Sequence, residues 1–436
     1  MALALVRPDV LYAWKGASLL VVNTKGACGP GHQLSGFYFR EARFLRTLAL
    51  EVNGEAPWSC EAAWVAPDTL AFNLVHPEIK EPGGGGTGQS DDAVTLDAHG
   101  LPERSLDLRL TYTVGIASLD ILLQIANRAR CELRFDLGLR LDADFADIQE
   151  AQAGRRQQQA PVERSVHDRR LHLTYAHPRL PYRTEVRDSG GWALSAERAC
   201  AQVALQPGAT ADLQLRIAAR TGRDDVTHAG AAERERALRA WCETFTRVEA
   251  PGNRLFERAV EMNVRDIASF PLLEGEPDEW LSTQAGLPLY PAFFGRDAVT
   301  AGWQAASLDR GEALAAALTK LGRLQTDRTD DWRDEQPGRI PYQVRSGLLA
   351  ALDVTPYAAY YADQASPLMF VISLANLWAW TGERRHVERH WDTARRVLDW
   401  AREYGDSDRD GYLEYRTRSS TGAKNQGWKD LSLIHI

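Results

Sequence analysis

Cysteine is scarce in this sequence, with five residues among 436, and none of them forms a Cys-x-x-Cys pair. An odd number of widely separated cysteines argues against a disulfide framework and against a zinc site, and it is typical of a reducing compartment. The five are Cys28, Cys60, Cys131, Cys200 and Cys242. We therefore expect a cytoplasmic protein.

Long apolar runs and clusters of basic residues are also absent. No stretch approaches the roughly 18 consecutive apolar residues of a transmembrane helix, and the first residues lack the pattern of a secretion signal. The formal net charge of −8 argues against a nucleic-acid partner. The glycine run at 83–86 is not followed by Gly-Lys-Ser or Gly-Lys-Thr, so we expect a surface loop there. The sequence predicts a soluble protein with no membrane partner and no cofactor.

Tryptophan, in contrast, is abundant, with 13 residues. Such rings stack on sugars in carbohydrate-binding clefts, but most tryptophans are simply buried in cores. Composition alone leaves both interpretations open. The length suggests two or three domains, because a single core rarely grows beyond about 250–300 residues.

Short stretches that alternate between apolar and polar residues fill the chain from residue 17 to about 220. In SLDLRLTYTV the residues that would share one face of a strand are Leu106, Leu108, Leu110, Tyr112 and Val114. Many such strands without long helices between them predict an antiparallel β-sandwich.

Near residue 226 the periodicity changes to that of helices. We expect about six or seven helices, over 229–248, after an N-cap at Asn253, around 297–308, over 310–325, around 354–363, over 366–382 and over 385–403. The second of these would carry Phe256, Ala259, Val260, Asn263 and Ile267 on one face, and 310–325 would carry Leu314, Ala317, Leu318, Leu321 and Leu324. Ser366 is the expected N-cap of the helix that begins with Pro367.

The loops between these helices concentrate Trp, Tyr, Arg and Asp residues, which are suited to binding or catalysis. This is typical of a site built by loops on a rigid scaffold. In FFGRDA, Phe294, Arg296 and Asp297 stand where a loop meets a helix. Asp297 would cap the helix in the structural interpretation. In the functional one, the guanidinium and the carboxylate grip vicinal hydroxyls of a sugar.

The stretch DDWRDEQPGRIPYQVR offers a second candidate subsite. Its candidate substrate-binding residues are Trp332, Arg333, Asp334, Glu335, Arg339 and Tyr342. A solvated charged loop and a substrate subsite are equally consistent with this pattern. Asp363 and Gln364, just before a helix, are likewise either structural or substrate-binding.

Residues 405–415 begin like a calcium loop, with Asp-x-Asp-x-Asp-Gly spacing. A glutamate would be required at position 417, where Thr417 stands, so an Asp/Gly turn is favoured and no metal is expected. Further on, NQGWKD supplies Trp428 as a stacking surface beside Lys429 and Asp430. A carboxyl beside an aromatic wall can hold its proton as a general acid requires, but an exposed Lys–Asp pair is an equal alternative.

Taken together and in this order, several stretches resemble the bacterial amylo-α-1,6-glucosidases, which are glycogen-debranching-like glycoside hydrolases. They are LLVVNTKGACGPGHQLSGFYFREARFLRTLALEVNGEAP, LDADFADIQEAQAGRR, AGLPLYPAFFGRDA, GRIPYQVR, SPLMFV, DGYLEY and NQGWKD. The resemblance implies a multidomain β + α fold, with an N-terminal antiparallel β-supersandwich followed by a partial (α/α)6 barrel. It implies an α-glucan or a small α-glucoside as substrate, and hydrolysis with inversion.

The resemblance also implies roles for individual residues. Arg296 and Asp297 match the pair that holds the sugar next to the scissile bond, and Asp430 matches the general acid. The chain departs from the family at Gln364, where an aspartate is usual, and at 40–43, where Asp-Thr-Arg is usual. The general base of the family lies downstream of position 430. An inverting sugar phosphorylase and a non-catalytic carbohydrate-binding protein remain as alternatives.

The expected domains are a β-sandwich over 1–225, a linker helix region over 226–252 and the first half of the catalytic barrel over 253–430. The final LSLIHI, 431–436, matches the translation of a sequencing-library adaptor, so we expect it to be a scar on a truncated reading frame. A fragment of this kind would lack its base and hydrolase activity, and its unpaired helices would favour aggregation. The oligomeric state stays open.

Overall fold

A computed structural model of the chain describes residues 9–29, 31–78, 95–222, 228–414 and 416–424. The chain divides into two compact units, Met1–Val226 and Thr227–Ile436. Across the described ranges, no helix combines the length and the apolar character needed to cross a membrane.

Antiparallel strands build the first unit, because its sequence alternates between apolar and polar residues over short stretches between turns. The strands are β1 (Val10–Lys15), β2 (Ser18–Asn23), β3 (Gly36–Phe39), β4 (Ala42–Leu45), β5 (Thr47–Val52), β6 (Trp58–Ala66), β7 (Thr69–His76), β8 (Leu106–Gly115), β9 (Ser118–Asn127), β10 (Leu133–Asp142), β11 (Val162–His167), β12 (Arg170–Tyr175), β13 (Arg183–Gly190), β14 (Ala193–Leu194), β15 (Arg198–Leu205) and β16 (Thr210–Arg220). A short helix, α1 (Ile148–Ala153), follows β10.

These strands form one large sheet and two smaller ones. The eight-stranded sheet has the order β11-β12-β13-β16-β9-β8-β7-β6, and the four-stranded sheets have the orders β1-β2-β3-β4 and β14-β15-β10-β5. In β8 every second side chain is buried, and the predicted apolar face is confirmed by Leu106, Leu108, Leu110, Tyr112 and Val114, each at most 2% exposed. The mixture of antiparallel sheets here and helices in the second unit confirms a multidomain β plus α protein.

Helices dominate the second unit. They are α2 (His228–Glu243), α3 (Arg254–Ile267), α4 (Gly295–Asp309), α5 (Glu312–Arg323), α6 (Leu348–Ala351), α7 (Ala365–Thr381) and α8 (Arg384–Trp400). Two short strands, β17 (Phe293–Phe294) and β18 (Gln343–Val344), lie among them, and a π-helical turn, Ala401–Gly405, extends α8.

Two helical predictions are confirmed in detail. Asn253 is the N-cap of α3, and its side-chain oxygen accepts from Phe256 N at 3.1 Å. The stripe on α5 is buried at Leu314, Ala317, Leu318 and Leu321, while Leu324 lies just past the helix end and is half-buried.

The N-terminus of α7 corrects the prediction for Ser366. The helix begins at Ala365, so Ser366 lies within the first turn and is not the N-cap. The acceptor at this end is Asp363, whose Oδ1 accepts from Ala365 N at 2.9 Å and whose Oδ2 accepts from Ser366 N at 3.0 Å. A carboxylate serves better here because it accepts from two backbone N–H groups and because its charge suits the positive end of the helix.

One further prediction was wrong in part, and the burial of one predicted helix did not follow from its sequence. The stretch 354–363 holds only a 3₁₀ turn, Pro356–Ala358, because the backbone becomes extended at Ala359, with φ −154° and ψ 114°. The apolar face of α3 forms as a helical face, but no residue of α3 is buried, and Phe256 is 49% exposed. Helical periodicity predicts a face; it does not say what covers it.

Candidate functional site

A two-stranded ladder joins two of the stretches that the sequence marks as candidate subsites. Phe294 of β17 pairs with Gln343 of β18 in antiparallel register. Directly after β17, Gly295 N donates to Tyr342 O at 2.8 Å, and α4 begins at this residue. The start of α4 is thereby fixed beside the segment 342–345.

An aromatic cluster covers this junction. The ring of Phe294 packs edge-on against Tyr290 and Tyr342, with centroids 5.7 and 5.5 Å apart. The Arg345 guanidinium lies 5.4 Å from the Phe294 centroid and 5.9 Å from that of Tyr290, within the range of a cation–π contact. Tyr290 is 48% exposed, so the cluster presents an aromatic face to solvent.

Arg296 and Asp297 occupy the first turn of α4. Arg296 is buried at 8% exposure, whereas the Asp297 side chain is 33% exposed, and Nη2 of the first lies 3.8 Å from Oδ2 of the second. An acidic residue in the first turn is stabilised by the helix dipole, as the structural interpretation requires. The same arrangement also places an acceptor and a charged donor side by side, which suits a pair of hydroxyl groups.

Asp334 is buried and is fully used in holding the chain together. Its Oδ2 accepts from Tyr360 OH and from Thr417 Oγ1, both at 2.8 Å. Its Oδ1 accepts from the backbone N–H groups of Arg418 at 2.5 Å and of Ser419 at 3.2 Å. Four donors around one carboxylate, which is 1% exposed, anchor residues 417–419 to the 330–345 loop.

Glu335 and Arg339 are equally buried, at 1% and 4% exposure. Glu335 Oε2 lies 3.1 Å from Arg328 Nε. Arg339 donates to Asp334 O at 3.0 Å, and its guanidinium lies 5.0 Å from the Trp400 ring centroid at the end of α8. Burial lowers the pKa of Arg339 to about 10. These contacts join the loop to α8.

The remaining predicted residues in this region are more accessible. Trp332 and Arg333 are half-buried, and Arg333 Nη2 donates to Asp353 Oδ1 at 3.1 Å. Gln364 is half-buried and donates to Glu414 O, which links the start of α7 to the loop after α8. Asp363, by contrast, is 2% exposed and caps α7.

The predicted site residues therefore fall into two groups. Four of them are buried and form hydrogen bonds or ion pairs that connect loops to helices, namely Asp334, Glu335, Arg339 and Asp363. The others lie around the junction of β17, α4 and β18, on the 330–345 loop or at the start of α7. Phe294 and Arg296 are also buried, at 5% and 8% exposure. The half-buried ones are Asp297, Trp332, Arg333, Tyr342 and Gln364. Trp428, Lys429 and Asp430 lie outside the described residues.

Sequence reasoning did not single out Tyr290, Arg345 or Tyr360. All three lie in or near stretches that it did mark, LYPAFFG, YQVRSG and AAYYAD. Each is a weak signal in one sequence, because the contacts of Arg345 with Tyr290 and of Tyr360 with Asp334 join segments that are distant along the chain.

The loop after α8 brings together more carboxylates than its sequence suggested. Oxygen atoms of Asp406, Asp408, Asp410 and Glu414 lie within 4.8 Å of one another. The glutamate that joins the three aspartates is Glu414, the ninth residue counted from Asp406, and not a residue at position 417. Backbone N–H groups of the same loop already donate to each of these side chains, so the loop accounts for its own shape.

Comparison with known protein families gives a match to the first unit. Residues 14–216 match the family model of the N-terminal domain of some glycogen debranching enzymes. This match lies within the first unit. No curated protein sequence matches the chain significantly.

Solved structures extend the likeness in fold. A putative kojibiose phosphorylase from the human microbiome superposes with a TM-score of 0.50 at 7% identity, over 92% of this chain and 54% of that one. The chain thus spans about half the length of that structure. The Slr1438 protein from Synechocystis sp. PCC 6803 matches with a TM-score of 0.32 at 13% identity, over 51% of this chain and 99% of its own. At 7% identity the likeness to the putative kojibiose phosphorylase concerns the fold alone.

Proposed function

We propose that this chain belongs to a glycoside hydrolase that acts on α-glucosidic bonds, of the amylo-α-1,6-glucosidase, debranching-like kind. The match of residues 14–216 to a debranching-enzyme domain carries the proposal. The aromatic and charged surface around Phe294, Asp297 and Arg345 supports it, because aromatic rings and paired donors and acceptors are what a sugar ring requires.

The proposed architecture is a β-supersandwich over 1–225, a linker helix region over 226–252 and part of an (α/α)6 barrel over 253–430. Helical hairpins α4–α5 and α7–α8 support a barrel of paired helices. Large apolar side chains stay exposed on α7 and α8, at Ile372, Trp378, Trp391 and Leu398. A face of this kind fits packing against further helices.

The proposed chemistry assigns a different task to each group of residues. Arg296 and Asp297 hold two neighbouring hydroxyls, and Phe294, Trp332 and Tyr342 supply ring surfaces. The buried group of Asp334, Glu335, Arg339 and Asp363 positions the loops. Arg333, Gln364, Trp428 and Lys429 line the subsite, and Asp430 protonates the leaving oxygen. A second carboxyl group, which lies downstream in the family, activates the attacking water; inversion requires it to be about 6.5–9.5 Å from the first carboxyl group.

Binding tests this proposal more directly than turnover. We expect maltooligosaccharides to quench the tryptophan fluorescence of the purified chain saturably. Asp297→Asn should weaken that binding about tenfold, since it removes a charged acceptor worth roughly 1.5–3 kcal/mol. The exposed Asp392→Asn is the matched control and should bind normally. Equal binding by both variants, or no binding of any α-glucoside, would reject the subsite.

A sugar phosphorylase of the same architecture is the alternative, favoured by the likeness to the putative kojibiose phosphorylase. The two activities differ in the acceptor of the glucosyl group. Phosphate-dependent release of a sugar phosphate would identify the phosphorylase, and phosphate-independent release of glucose would identify the hydrolase.

A further inference from the structure

A polar pocket lies within the first unit and is separate from the residues of the proposed sugar site. It has a volume of about 560 Å³, within the roughly 300–1,000 Å³ of small-molecule sites. Its walls come from Gly29 and the loop 31–35, from the end of β4 with Arg46, and from the segment 144–159, which contains α1. The charged and polar side chains that line it are His32, Gln33, Ser35, Arg43, Arg46, Asp144, Glu150, Arg155, Arg156 and Gln159.

The floor of this pocket is held rigidly. Arg43 is 9% exposed and forms two parallel hydrogen bonds to Asp144, of 2.9 and 2.6 Å. Its third nitrogen donates to the carbonyl oxygens of Gln33 and Ser35, at 3.0 and 3.2 Å. The loop and the strand end are therefore tied together by one buried guanidinium, and a bidentate pair of this type fixes geometry well.

A second arginine completes the floor. Arg156 Nη1 donates to Asp144 O at 3.0 Å, and its Nε lies 3.3 Å from Glu150 Oε2. Glu150 is 1% exposed and also accepts from the backbone N–H groups of Gln157 and Gln158. Both carboxylates of the pocket are thus already matched by Arg43, by Arg156 and by backbone donors.

The charge that remains is positive. Four arginines line the pocket against two carboxylates, in a chain whose net charge is −8. Arg46 and Arg155 are exposed, and among the described residues their side chains form no ion pair. His32 adds a ring nitrogen, Nδ1, that is buried without a hydrogen-bond partner in the same described part of the unit. Unmatched donors around a formed cavity are the signature of an anion site.

We propose that this pocket binds a small sugar phosphate. The phosphate group would lie between Arg46 and Arg155, because guanidinium groups bind phosphate oxygens with paired, charge-assisted hydrogen bonds. The amides of Gln33 and Gln159 and the His32 ring would receive the sugar hydroxyls. The pocket offers no aromatic wall, so it suits a compact, hydrophilic ligand.

Titration calorimetry on the purified chain tests this with glucose 1-phosphate, glucose 6-phosphate, inorganic phosphate and glucose as probes. A sugar phosphate should bind at millimolar concentration or below, glucose should give no signal that depends on Arg46 or Arg155, and added salt should weaken binding. The double variant Arg46→Gln/Arg155→Gln should lose at least tenfold in affinity. The double variant Arg46→Lys/Arg155→Lys should retain part of it. Arg187→Gln, which removes one positive charge at an exposed site on β13, should leave it intact.

Each remaining outcome overturns the proposal in part or in whole. Inorganic phosphate binding as tightly as both sugar phosphates would leave an anion site without a sugar component. No binding of any probe, or equal losses from Arg187→Gln, would remove the site altogether. Because the maltooligosaccharide test depends on Asp297 in the other unit, failure of one proposal does not affect the other.

Discussion

Asp334 shows how a charged residue in a polar loop can serve structure. Replacing it by alanine leaves Tyr360 OH, Thr417 Oγ1 and the N–H groups of Arg418 and Ser419 without their acceptor. Each buried donor without an acceptor costs about 1–3 kcal/mol, so Asp334→Ala should destabilise the second unit by roughly 3 kcal/mol or more.

Denaturant unfolding measures this loss, and limited proteolysis should show cleavage within 416–424. Asp331→Ala is the control, because Asp331 is exposed and, among the described residues, forms only a surface ion pair with Arg418 at 3.5 Å. It should cost less than about 0.5 kcal/mol. Similar losses in the two variants would contradict the anchoring role.

His390 makes the stability of the second unit depend on pH. It is 4% exposed, and burial lowers the pKa of its imidazole from 6.5 to about 4. The unfolded chain therefore binds a proton between pH 6.5 and pH 4 that the folded chain does not. The stabilising contribution is present above pH 6.5 and falls by about 3 kcal/mol as the pH drops to 4.

The non-titrating variant His390→Leu should flatten this part of the pH profile of unfolding free energy. Leu398→Ala, at an exposed position of the same helix, changes no titratable group and is the control, so it should leave the slope unchanged. A slope that is the same in wild type and His390→Leu would assign the acid sensitivity to other groups.

At the scale of elements, the packing of α4 against α5 depends on the absence of one side chain. A Cβ atom on Gly302 would lie 2.8 Å from Leu314 Cα, a contact with backbone that a rotamer change cannot relieve. Gly302→Ala should therefore destabilise by about 1–3 kcal/mol, although alanine is the better helix former.

Thermal unfolding monitored by circular dichroism measures this effect. Gln304→Ala, at an exposed position of the same helix, also adds helix propensity and should be neutral or slightly stabilising. A stabilising effect of Gly302→Ala would contradict the close approach of α4 and α5 at Gly302.

Several elements could be predicted from the sequence because their signals are local. The alternation in β8 and the cap at Asn253 each depend on a few neighbouring residues. The cap of α7 could not be assigned correctly, since Asp363 and Ser366 are both good caps and only the path of the chain decides between them. The exposure of α3 could not be predicted for a different reason, because helical periodicity does not specify which element packs against the apolar face.

The sequence indicated which stretches form the candidate site, but it did not distinguish the structural residues within them from the accessible ones. Asp297 and Asp334 are both acidic residues in conspicuous loops, yet one is a third exposed and the other is enclosed by four donors. The difference comes from Tyr360 and the segment 417–419, which lie far from Asp334 along the chain. No local pattern contains that information.

At the scale of the whole molecule, the two units differ in how completely they bury their apolar side chains. The first unit encloses the core faces of its sheets, whereas α7 and α8 expose Trp378 and Trp391, at 52% and 62%. We expect residues 9–222 alone to unfold in a single cooperative thermal transition, because the strands of this unit bury a core of their own apolar side chains. A broad, non-cooperative melt would show that the unit depends on the rest of the chain.

The exposed tryptophans should make the intact chain associate with itself. Trp378→Gln/Trp391→Gln should reduce the high-mass fraction in sedimentation velocity, since it removes apolar surface from water-exposed helices. Trp58→Gln, at a 46% exposed position in the first unit, is the comparison. An unchanged distribution in the double variant would place the association elsewhere.

The ladder that pairs Phe294 with Gln343 also bears on how the protein would change under selection. The loop before α4 and the segment 342–345 share hydrogen bonds, so a substitution that shifts one of them displaces the other. In a library selected for a new sugar preference, improved clones should carry changes in both stretches, with the second compensating for the first. Substitutions in two stretches that lie far apart along the chain would then be selected together.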